Sequence, residues 1–387
     1  MKTVGIIVEY NPMHNGHIHH LKEARKRANG GRVIAVMSGN FVQRGEFSLL
    51  DKYEKTQLAL EEGVDIVAEL PFFYSTQSAE IFSIGAVKTL HALGVEEIVF
   101  GCEEENVENL FENVEKIVAL EEEIGVSVRS LMETGISYPN AMAKAYKVLN
   151  IELELKPNTL LAVEYIKTII KERYPITPTA IVRKNGGYFD EEVVDDIASA
   201  SYIRKCLAEN RVEEIKNSVS AHCFELIKNR HPISLESCFD MLYFALLDGN
   251  QNFDMIQDME IGLANRLKKN AKIWYNYREF FEKVLSKRYT RSRMQRVLLH
   301  ILLKLDIKTT EYVKQNLPYI QLLGANEYGR AYLSSIKESV GVTVITNMRN
   351  SVQLIGKNRD LFDAAQEHDL LYAFKLKKKI KNIPVML

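Results

Sequence analysis

Two histidines three positions apart, His14 and His17, lie near the N-terminus with Gly16 between them. Side chains at this spacing can project in the same direction from a loop and the first turn of a helix. Imidazole N–H groups and the helix dipole can stabilise the negative charge that develops on the α-phosphate of ATP under attack. Gly16 removes a side chain, so a base or phosphate can approach the backbone. The pattern therefore predicts phosphoryl transfer by positioning and electrostatics, without a protein nucleophile.

The elements that would position these histidines form a repeat in the first hundred residues. Short apolar runs begin near Thr3, Arg32, Val64 and Glu96, at the roughly 30-residue spacing of βα units. The runs are nearly continuous rather than alternating, which indicates strands that are buried on both faces. Ligands of such sheets bind at the carboxyl ends of the strands, where the histidine motif follows the first run.

The helical segments between these runs close on glycine, at Gly30, Gly63 and Gly94. Residues 103–149 are predicted to be helical, another helix starts after Pro157, and a fifth strand ends at Arg183. Beyond about residue 217 long amphipathic stretches dominate, and only residues 340–346 resemble a strand. We therefore predict an α/β fold with a doubly wound parallel sheet in residues 1–217, which would bind ATP. A mainly α-helical domain would follow in residues 218–387.

Composition narrows the class of protein. The chain has 387 residues, 46% of them hydrophobic, and no run approaches the roughly 20 apolar residues of a membrane-spanning helix. Its N-terminus lacks the features of a secretory signal, and its four cysteines form no Cys-x-x-Cys pair. A reducing, cytoplasmic location fits this pattern. The net charge of −1 offers no overall case for a nucleic-acid partner.

One segment is locally basic. Residues 266–304 carry twelve lysines and arginines against two glutamates, with aromatic residues interleaved. Within it Arg291, Arg293 and Arg296 lie at the expected start of a helix, where they can follow a phosphate backbone. Two interpretations stay open at this point, a nucleic-acid-binding surface and a solvated helical face over a core.

A second motif lies further along the chain. The arrangement H-x-G-H after a first strand resembles the nucleotidyltransferase superfamily, whose second motif is usually written I-S-S-T-x-I-R or K-M-S-K-S. Residues 198–204 read ASASYIR and depart from it at the first and third positions. Ser199, Ser201 and Arg204 match and can hold departing phosphates, although the serines can equally cap a helix.

Longer stretches are similar to one family within that superfamily, the bacterial tRNA(Met) cytidine acetate ligases. They are VGIIVEYNPMHNGH, SGNFVQRGE, PNTLLAVEYI and SASYIRK. The resemblance implies that acetate and ATP form acetyl-adenylate, which then acetylates the N4 amine of the wobble cytidine in elongator tRNA(Met). Magnesium would neutralise the phosphates.

The resemblance and the motifs together predict the site residues. His14 and His17 are the predicted catalytic residues, and Arg291, Arg293 and Arg296 are the predicted tRNA contacts. The predicted ATP contacts are Ile7, Val8, Glu9, Tyr10, Asn11, Pro12, Met13, His14, Asn15, Gly16, His17, Ile18, His19, His20, Gly101, Asn158, Arg183, Ser199, Ser201 and Arg204.

Other functions are compatible with parts of this pattern. A metabolic adenylyltransferase that joins AMP to a cofactor precursor would carry the same H-x-G-H site, but it would not need the helical region after residue 217. A non-catalytic, nucleotide-dependent RNA-binding protein would keep its function without His14 and His17. An aminoacyl-tRNA synthetase is disfavoured because the sequence has no K-M-S-K-S.

Overall fold

A computed structural model describes residues 1–154, 156–182, 196–249, 252–274, 276–286, 288–346, 355–379 and 383–387. Arg183, a predicted ATP contact, lies outside these ranges. In the described part of the chain, no helix has the length and apolar character needed to cross a membrane. The cytoplasmic location stays a prediction.

One mixed sheet organises the fold. The strands are β1 (Thr3–Val8), β2 (Arg32–Ser38), β3 (Phe41–Val42), β4 (Glu46–Phe47), β5 (Ile66–Leu70), β6 (Glu97–Cys102), β7 (Thr177–Val182), β8 (Ile320–Ala325), β9 (Val344–Ile345) and β10 (Val385–Met386). Their order is β10-β8-β5-β2-β1-β6-β7, with β9 also on β8, while β3 and β4 form a separate hairpin. From β5 to β7 all neighbours are parallel.

Helices cover both faces of this sheet. They are α1 (Asn15–Ala28), α2 (Lys52–Glu61), α3 (Phe72–Ser75), α4 (Ala79–Ala92), α5 (Val107–Ala119), α6 (Glu121–Glu133), α7 (Tyr138–Val148), α8 (Pro157–Glu172), α9 (Ala200–Ala208), α10 (Ala221–Ile227), α11 (Phe239–Leu247), α12 (Ile261–Ala271), α13 (Tyr277–Val284), α14 (Arg291–Leu303), α15 (Ile307–Gln315), α16 (Glu327–Ile336) and α17 (Arg359–Leu376).

Alternate side chains of the strands enter two separate cores. Val4 and Ile6 of β1 pack with α1, α2, α9 and α10, whereas Ile34 of β2 and Ile98 of β6 pack with α4, α8 and the later helices. The predicted doubly wound α/β fold with helices after it is therefore confirmed.

The chain proceeds from β1 towards β2 and β5 on one side and returns to β6 and β7 on the other. Because the winding reverses between β1 and β6, a crevice forms at their carboxyl ends.

The sequence interpretation of the second half was wrong in one respect. Besides the strand-like residues 340–346, this half contains β8 and β10, and β8 pairs antiparallel with β5 in the main sheet. All six residues of β8 are buried, and such a short apolar run has no periodicity that separates a strand from a buried helix. The division of the chain near residue 217 stays a prediction, and the sheet includes strands from both sides of it.

A buried cluster of three charged residues links α17, the last long helix, to this sheet. Lys52 of α2 donates to Glu69 of β5 at 2.8 Å and to Asp369 of α17 at 2.6 Å. The Lys52 side chain is only 1% exposed. Although burial opposes its charge, the two carboxylates raise the pKa of Lys52 well above its usual value. The three charged groups therefore join three elements that are far apart in the sequence.

Candidate active site

A cavity of about 550 Å³ opens at the carboxyl ends of β1, β6 and β7. This lies at the reversal of the sheet and within the usual size range of small-molecule sites. The cavity is walled by the β1–α1 loop, the β3–β4 hairpin, α8 and the start of α9. The N-terminus of α1 meets it, which adds positive potential there.

His14 and His17 cap the first turn of α1 reciprocally. Nδ1 of His14 accepts the Gly16 N–H at 3.1 Å, and Nδ1 of His17 accepts the His14 N–H at 3.2 Å. The two ring centroids lie 3.7 Å apart. Because Nδ1 acts as an acceptor in each ring, the neutral form of each carries its proton on Nε2. The cap therefore selects the tautomer whose Nε2–H can donate to a phosphoryl oxygen.

Gly16 leaves space for the His14 ring. A Cβ atom at this position would lie 3.0 Å from Cε1 and 3.1 Å from Nδ1 of His14. Both separations are tighter than ordinary van der Waals contact. The glycine of the motif thus protects the position of a histidine, in addition to the open approach to the backbone that the sequence suggested.

The second motif forms the N-terminus of α9. Ser199 caps the helix by accepting the Tyr202 N–H at 3.0 Å, and its hydroxyl lies 3.1 Å from that of Ser201. Arg204 donates to the Asn11 carbonyl at 2.7 Å and to the Glu46 carboxylate at 3.0 Å. The capping role is therefore present, and Arg204 also ties the β1–α1 loop to the β3–β4 hairpin.

A buried lysine that the sequence interpretation missed fixes the ends of two strands. Lys55 of α2 donates to the carbonyls of Glu9, Ser38 and Gly39 at 2.9, 2.7 and 2.8 Å. Burial lowers the pKa of Lys55 to about 7, although the charge of Glu9 acts in the opposite direction. No pattern in the sequence marks Lys55, because a charged residue on an amphipathic helix ordinarily faces solvent.

A second missed residue, Glu103, organises the start of α8. Its carboxylate accepts the N–H and side-chain amide of Asn158 and both the N–H and hydroxyl of Thr159. Burial favours the neutral acid, but these hydrogen bonds outweigh it and lower the pKa of Glu103. Asn158 therefore reaches the cavity with its amide held by Glu103, at the first turn of a helix. Gly101, near the end of β6, lines the same cavity.

The structure brings most of the predicted ATP contacts together on the cavity wall. Among the predicted residues of the β1–α1 segment, Pro12, Met13, Asn15 and Ile18 do not line it. Asn15 instead donates to the Asp196 and Asn217 carbonyls. The predicted residues that line the cavity are Ile7, Val8, Glu9, Tyr10, Asn11, His14, Gly16, His17, His19, His20, Gly101, Asn158, Ser199, Ser201 and Arg204.

The three predicted tRNA contacts differ in their surroundings. Arg291 is 64% exposed at the start of α14 and lies 3.5 Å from the exposed Glu282 carboxylate. Arg293 pairs with Glu260 at 2.8 Å, and Arg296 pairs with Asp258 at 3.5 Å. Gly45 of the β3–β4 hairpin packs closely on α14. A Cβ at this position would lie 2.5 Å from the backbone nitrogen of Arg296. The basic helix thus supports the hairpin that walls the cavity, and RNA binding by these arginines stays a prediction.

The described residues contain no group of three or more histidines, cysteines, aspartates or glutamates arranged to hold a metal ion. Two carboxylates line the cavity, but Glu46 is paired with Arg204 and one oxygen of Glu9 accepts the Gln43 N–H at 2.7 Å. All four cysteines are free and buried.

Comparisons with known proteins cover nearly the whole chain. Residues 1–383 match the family model described as HIGH Nucleotidyl Transferase. A tRNA(Met) cytidine acetate ligase from Fusobacterium nucleatum subsp. nucleatum is 38% identical over 385 residues, with 96% of each chain covered. A protein of the same name from Geobacillus sp. is 36% identical over 361 residues, with 90% of each covered. The crystal structure of Thermotoga maritima TmcAL is similar with a TM-score of 0.90, 32% identity and full coverage of both chains. Its form with α-thio ATP gives a TM-score of 0.88 at 31% identity, again with full coverage.

Proposed function

This chain belongs to the tRNA(Met) cytidine acetate ligases, within the HIGH nucleotidyl transferases, and we propose that it activates acetate in the cavity beside His14 and His17. It is an ATP-dependent ligase that acetylates a cytidine of tRNA(Met). The observation that carries the proposed site is the reciprocal histidine cap of α1. It places two imidazoles of defined tautomer at a helix N-terminus on the cavity.

In the first half-reaction an acetate oxygen attacks the α-phosphorus of ATP and forms a new P–O bond. The bond from this phosphorus to the oxygen bridging the β-phosphate breaks, and pyrophosphate leaves. Nε2–H groups of His14 and His17 donate to the α-phosphoryl oxygens, where negative charge accumulates. Ser199, Ser201 and Arg204 hold the leaving pyrophosphate, since hydroxyls, a helix N-terminus and a guanidinium all favour phosphate there.

Magnesium fits this site as an ion held mainly by the triphosphate. The described residues offer no ready cage of carboxylates, and magnesium in nucleotide sites usually binds phosphate oxygens and water with only one or two carboxylates. Bound there, it would neutralise phosphate charge during adenylate formation.

The RNA would approach the cavity across the β3–β4 hairpin and the start of α14. Arg44 is exposed on that hairpin and lines the cavity rim, and Arg291 is exposed on the helix that supports it. A target base has to leave its stack to reach a recessed cavity, which single-stranded loops permit at low cost. This arrangement supports the elongator anticodon loop as substrate and residues 218–387 as its binding region.

The two alternatives raised from the sequence receive no support from the relatives. The relatives from Fusobacterium and Geobacillus are both named tRNA(Met) cytidine acetate ligase, and neither is named an adenylyltransferase of a cofactor precursor. In a non-catalytic binder the paired histidines would serve only to cap α1, and their position on the cavity wall would have no use in catalysis.

The test is incubation of the protein with ATP, magnesium, labelled acetate and bacterial tRNA, followed by nucleoside analysis. Labelled N4-acetylcytidine is expected. His14→Asn and His17→Asn should each lower acetate-dependent ATP–pyrophosphate exchange by about 10²–10³. Asparagine removes the imidazole, and at position 14 it retains the capacity to cap the helix.

A matched control is His222→Asn, since the His222 side chain is 40% exposed, pairs with Glu61 and does not line the cavity. It should leave both assays unchanged. Wild-type exchange without acetate, or undiminished exchange in the His14 and His17 variants, would contradict the proposed site.

A further inference from the structure

One acidic side chain in the cavity is unsuited to binding ATP. Glu9 follows β1 directly, and its Oε1 accepts the Gln43 N–H at 2.7 Å and the Ser38 hydroxyl at 3.4 Å. Among the described residues, no lysine or arginine nitrogen lies within ion-pair distance of this carboxylate. A negative group near the α-phosphate would oppose the charge that develops in adenylate formation. The backbone of Glu9 can serve the nucleotide, but its side chain needs another explanation.

The second oxygen of this carboxyl group is available to a ligand. Oε2 of Glu9 makes no hydrogen bond to any described residue, and the side chain is part of the cavity wall. Three elements hold the group in place. The hairpin supplies the Gln43 N–H, β2 supplies the Ser38 hydroxyl, and Lys55 of α2 binds the Glu9 carbonyl. The carboxylate therefore has a fixed position, and one of its oxygens has no hydrogen-bond partner in the part of the chain that the structure describes.

Apolar and aromatic residues line the same cavity. Val42 comes from the hairpin, Phe82 from α4, Phe100 from β6 and Tyr165 from α8. Tyr165 is close enough for the Glu9 charge to contribute, after burial, to raising its pKa. A carboxylate beside aromatic rings suits a flat heterocycle with an amine at its edge, because the rings contact its face and the carboxylate accepts from the amine.

We propose that Glu9 is a catalytic residue of the second half-reaction, in which it binds the exocyclic N4 amine of the target cytidine and accepts its proton. This inference rests on the proposed function. N4 attacks the carbonyl carbon of acetyl-adenylate and an N–C bond forms. The bond from that carbon to the AMP phosphate oxygen breaks, and AMP leaves with the electron pair as a phosphate anion. One N4 proton passes to Oε2 of Glu9, and the other stays on the amide.

The charges around Glu9 are consistent with a proton acceptor. Burial raises the pKa of Glu9 above its ordinary value. The Gln43 hydrogen bond and the positive charges of Lys55 and Arg44 oppose this shift, and Glu46 reinforces it. Tyr165 faces the group from α8 as a neutral phenol. Because a base is more effective as its pKa approaches the working pH, this environment favours proton transfer over a fully solvated carboxylate.

The two half-reactions separate this role from ATP binding. Glu9→Gln keeps an oxygen for the Gln43 N–H but cannot take a proton at neutral pH. Acetate-dependent ATP–pyrophosphate exchange reports adenylate formation. For transfer, enzyme preloaded with ATP, magnesium and labelled acetate is mixed with tRNA, and label on the RNA is followed over a single turnover. Glu122→Gln, an exposed site on α6 outside the cavity, is the matched charge control.

We expect Glu9→Gln to slow transfer by about 10²–10⁴ and to slow exchange by less than about tenfold. Glu9→Asp should regain part of the transfer rate. Equal losses in both half-reactions, or wild-type transfer, would overturn the role of Glu9. Failure of the wild-type protein to form any adenylate is a different result, which overturns the proposed function itself.

If Glu9→Gln does not fold, the pH dependence of transfer by the wild-type protein tests the role of Glu9. Its single-turnover transfer rate is expected to rise with pH to a plateau, with a midpoint above the ordinary carboxyl pKa. A transfer rate that does not change between about pH 5 and 8 would overturn the proposal.

Discussion

The substitution Gly16→Ala tests whether the position of the His14 ring can be disturbed without destabilising α1. The new Cβ would lie 3.0 Å from Cε1 and 3.1 Å from Nδ1 of His14. To restore an ordinary contact distance of about 3.4 Å, the His14 ring must move by about 0.3–0.4 Å. This movement also strains the hydrogen bond from the Gly16 N–H to Nδ1, which is 3.1 Å long.

The expected cost follows from that displacement. A shift of about 1 Å in a catalytic group costs about 100-fold in rate, so a third of this distance predicts a loss of about fivefold in adenylate formation. Stability should stay constant or rise by up to about 1 kcal/mol, because alanine is the better helix former. Adenylate formation is therefore expected to slow while the stability of the protein stays constant or rises.

The assays are acetate-dependent ATP–pyrophosphate exchange and thermal unfolding. Gly125→Ala in α6 is the matched control, since a Cβ there meets only the end of the Arg129 side chain at 3.5 Å. It should gain stability without loss of exchange. Undiminished exchange in Gly16→Ala would refute the argument that Gly16 protects the His14 ring. Destabilisation by more than about 1 kcal/mol would refute the assumption that the backbone accepts alanine.

Three further predictions concern stability and RNA binding. Asp369→Asn leaves Lys52 buried with less compensating charge, and we expect it to lower the free energy of unfolding by about 3 kcal/mol; a loss below about 1 kcal/mol in urea unfolding would contradict this. Burial lowers the pKa of His368 to about 4. The unfolded chain therefore binds this proton first, and up to about 3 kcal/mol of stability should disappear as pH falls from about 6.5 to 4. His368→Gln should flatten that dependence in unfolding experiments, and an unchanged slope would exclude His368 as its source. Arg44→Gln and Arg291→Gln should each reduce the salt dependence of tRNA affinity by about one phosphate contact, and an identical slope in filter binding would exclude such a contact.

The sequence identified the histidine motif because its signal is local. His14 and His17 are three residues apart on one helical turn, so their proximity follows from helix geometry alone. The nearly continuous apolar runs likewise predicted β1, β2, β5 and β6, since a strand that is buried on both faces is apolar at most of its positions. The sequence left Ser199 open between capping and phosphate contact, and the structure contains the cap.

Other features depended on contacts between distant parts of the chain. The strand β8 is defined by its pairing with β5, about 250 residues earlier in the sequence. Arg296 has the composition of a phosphate ligand, but only the tertiary structure places Asp258 beside it. Such pairings depend on how distant helices and strands lie relative to one another, and local sequence patterns do not contain this information.

By itself, the sequence determined the α/β class, the first strands of the sheet and the place of the histidine motif at the start of the first helix. Each of these follows from periodicity or from spacing within one turn of the backbone. Only the tertiary structure decided that Lys55 holds the ends of β1 and β2 and that Glu9 lies on the cavity wall with no ion pair to any described residue. The pKa of a buried charged group depends on the groups packed around it. Those groups come from distant parts of the sequence and meet only in the folded protein.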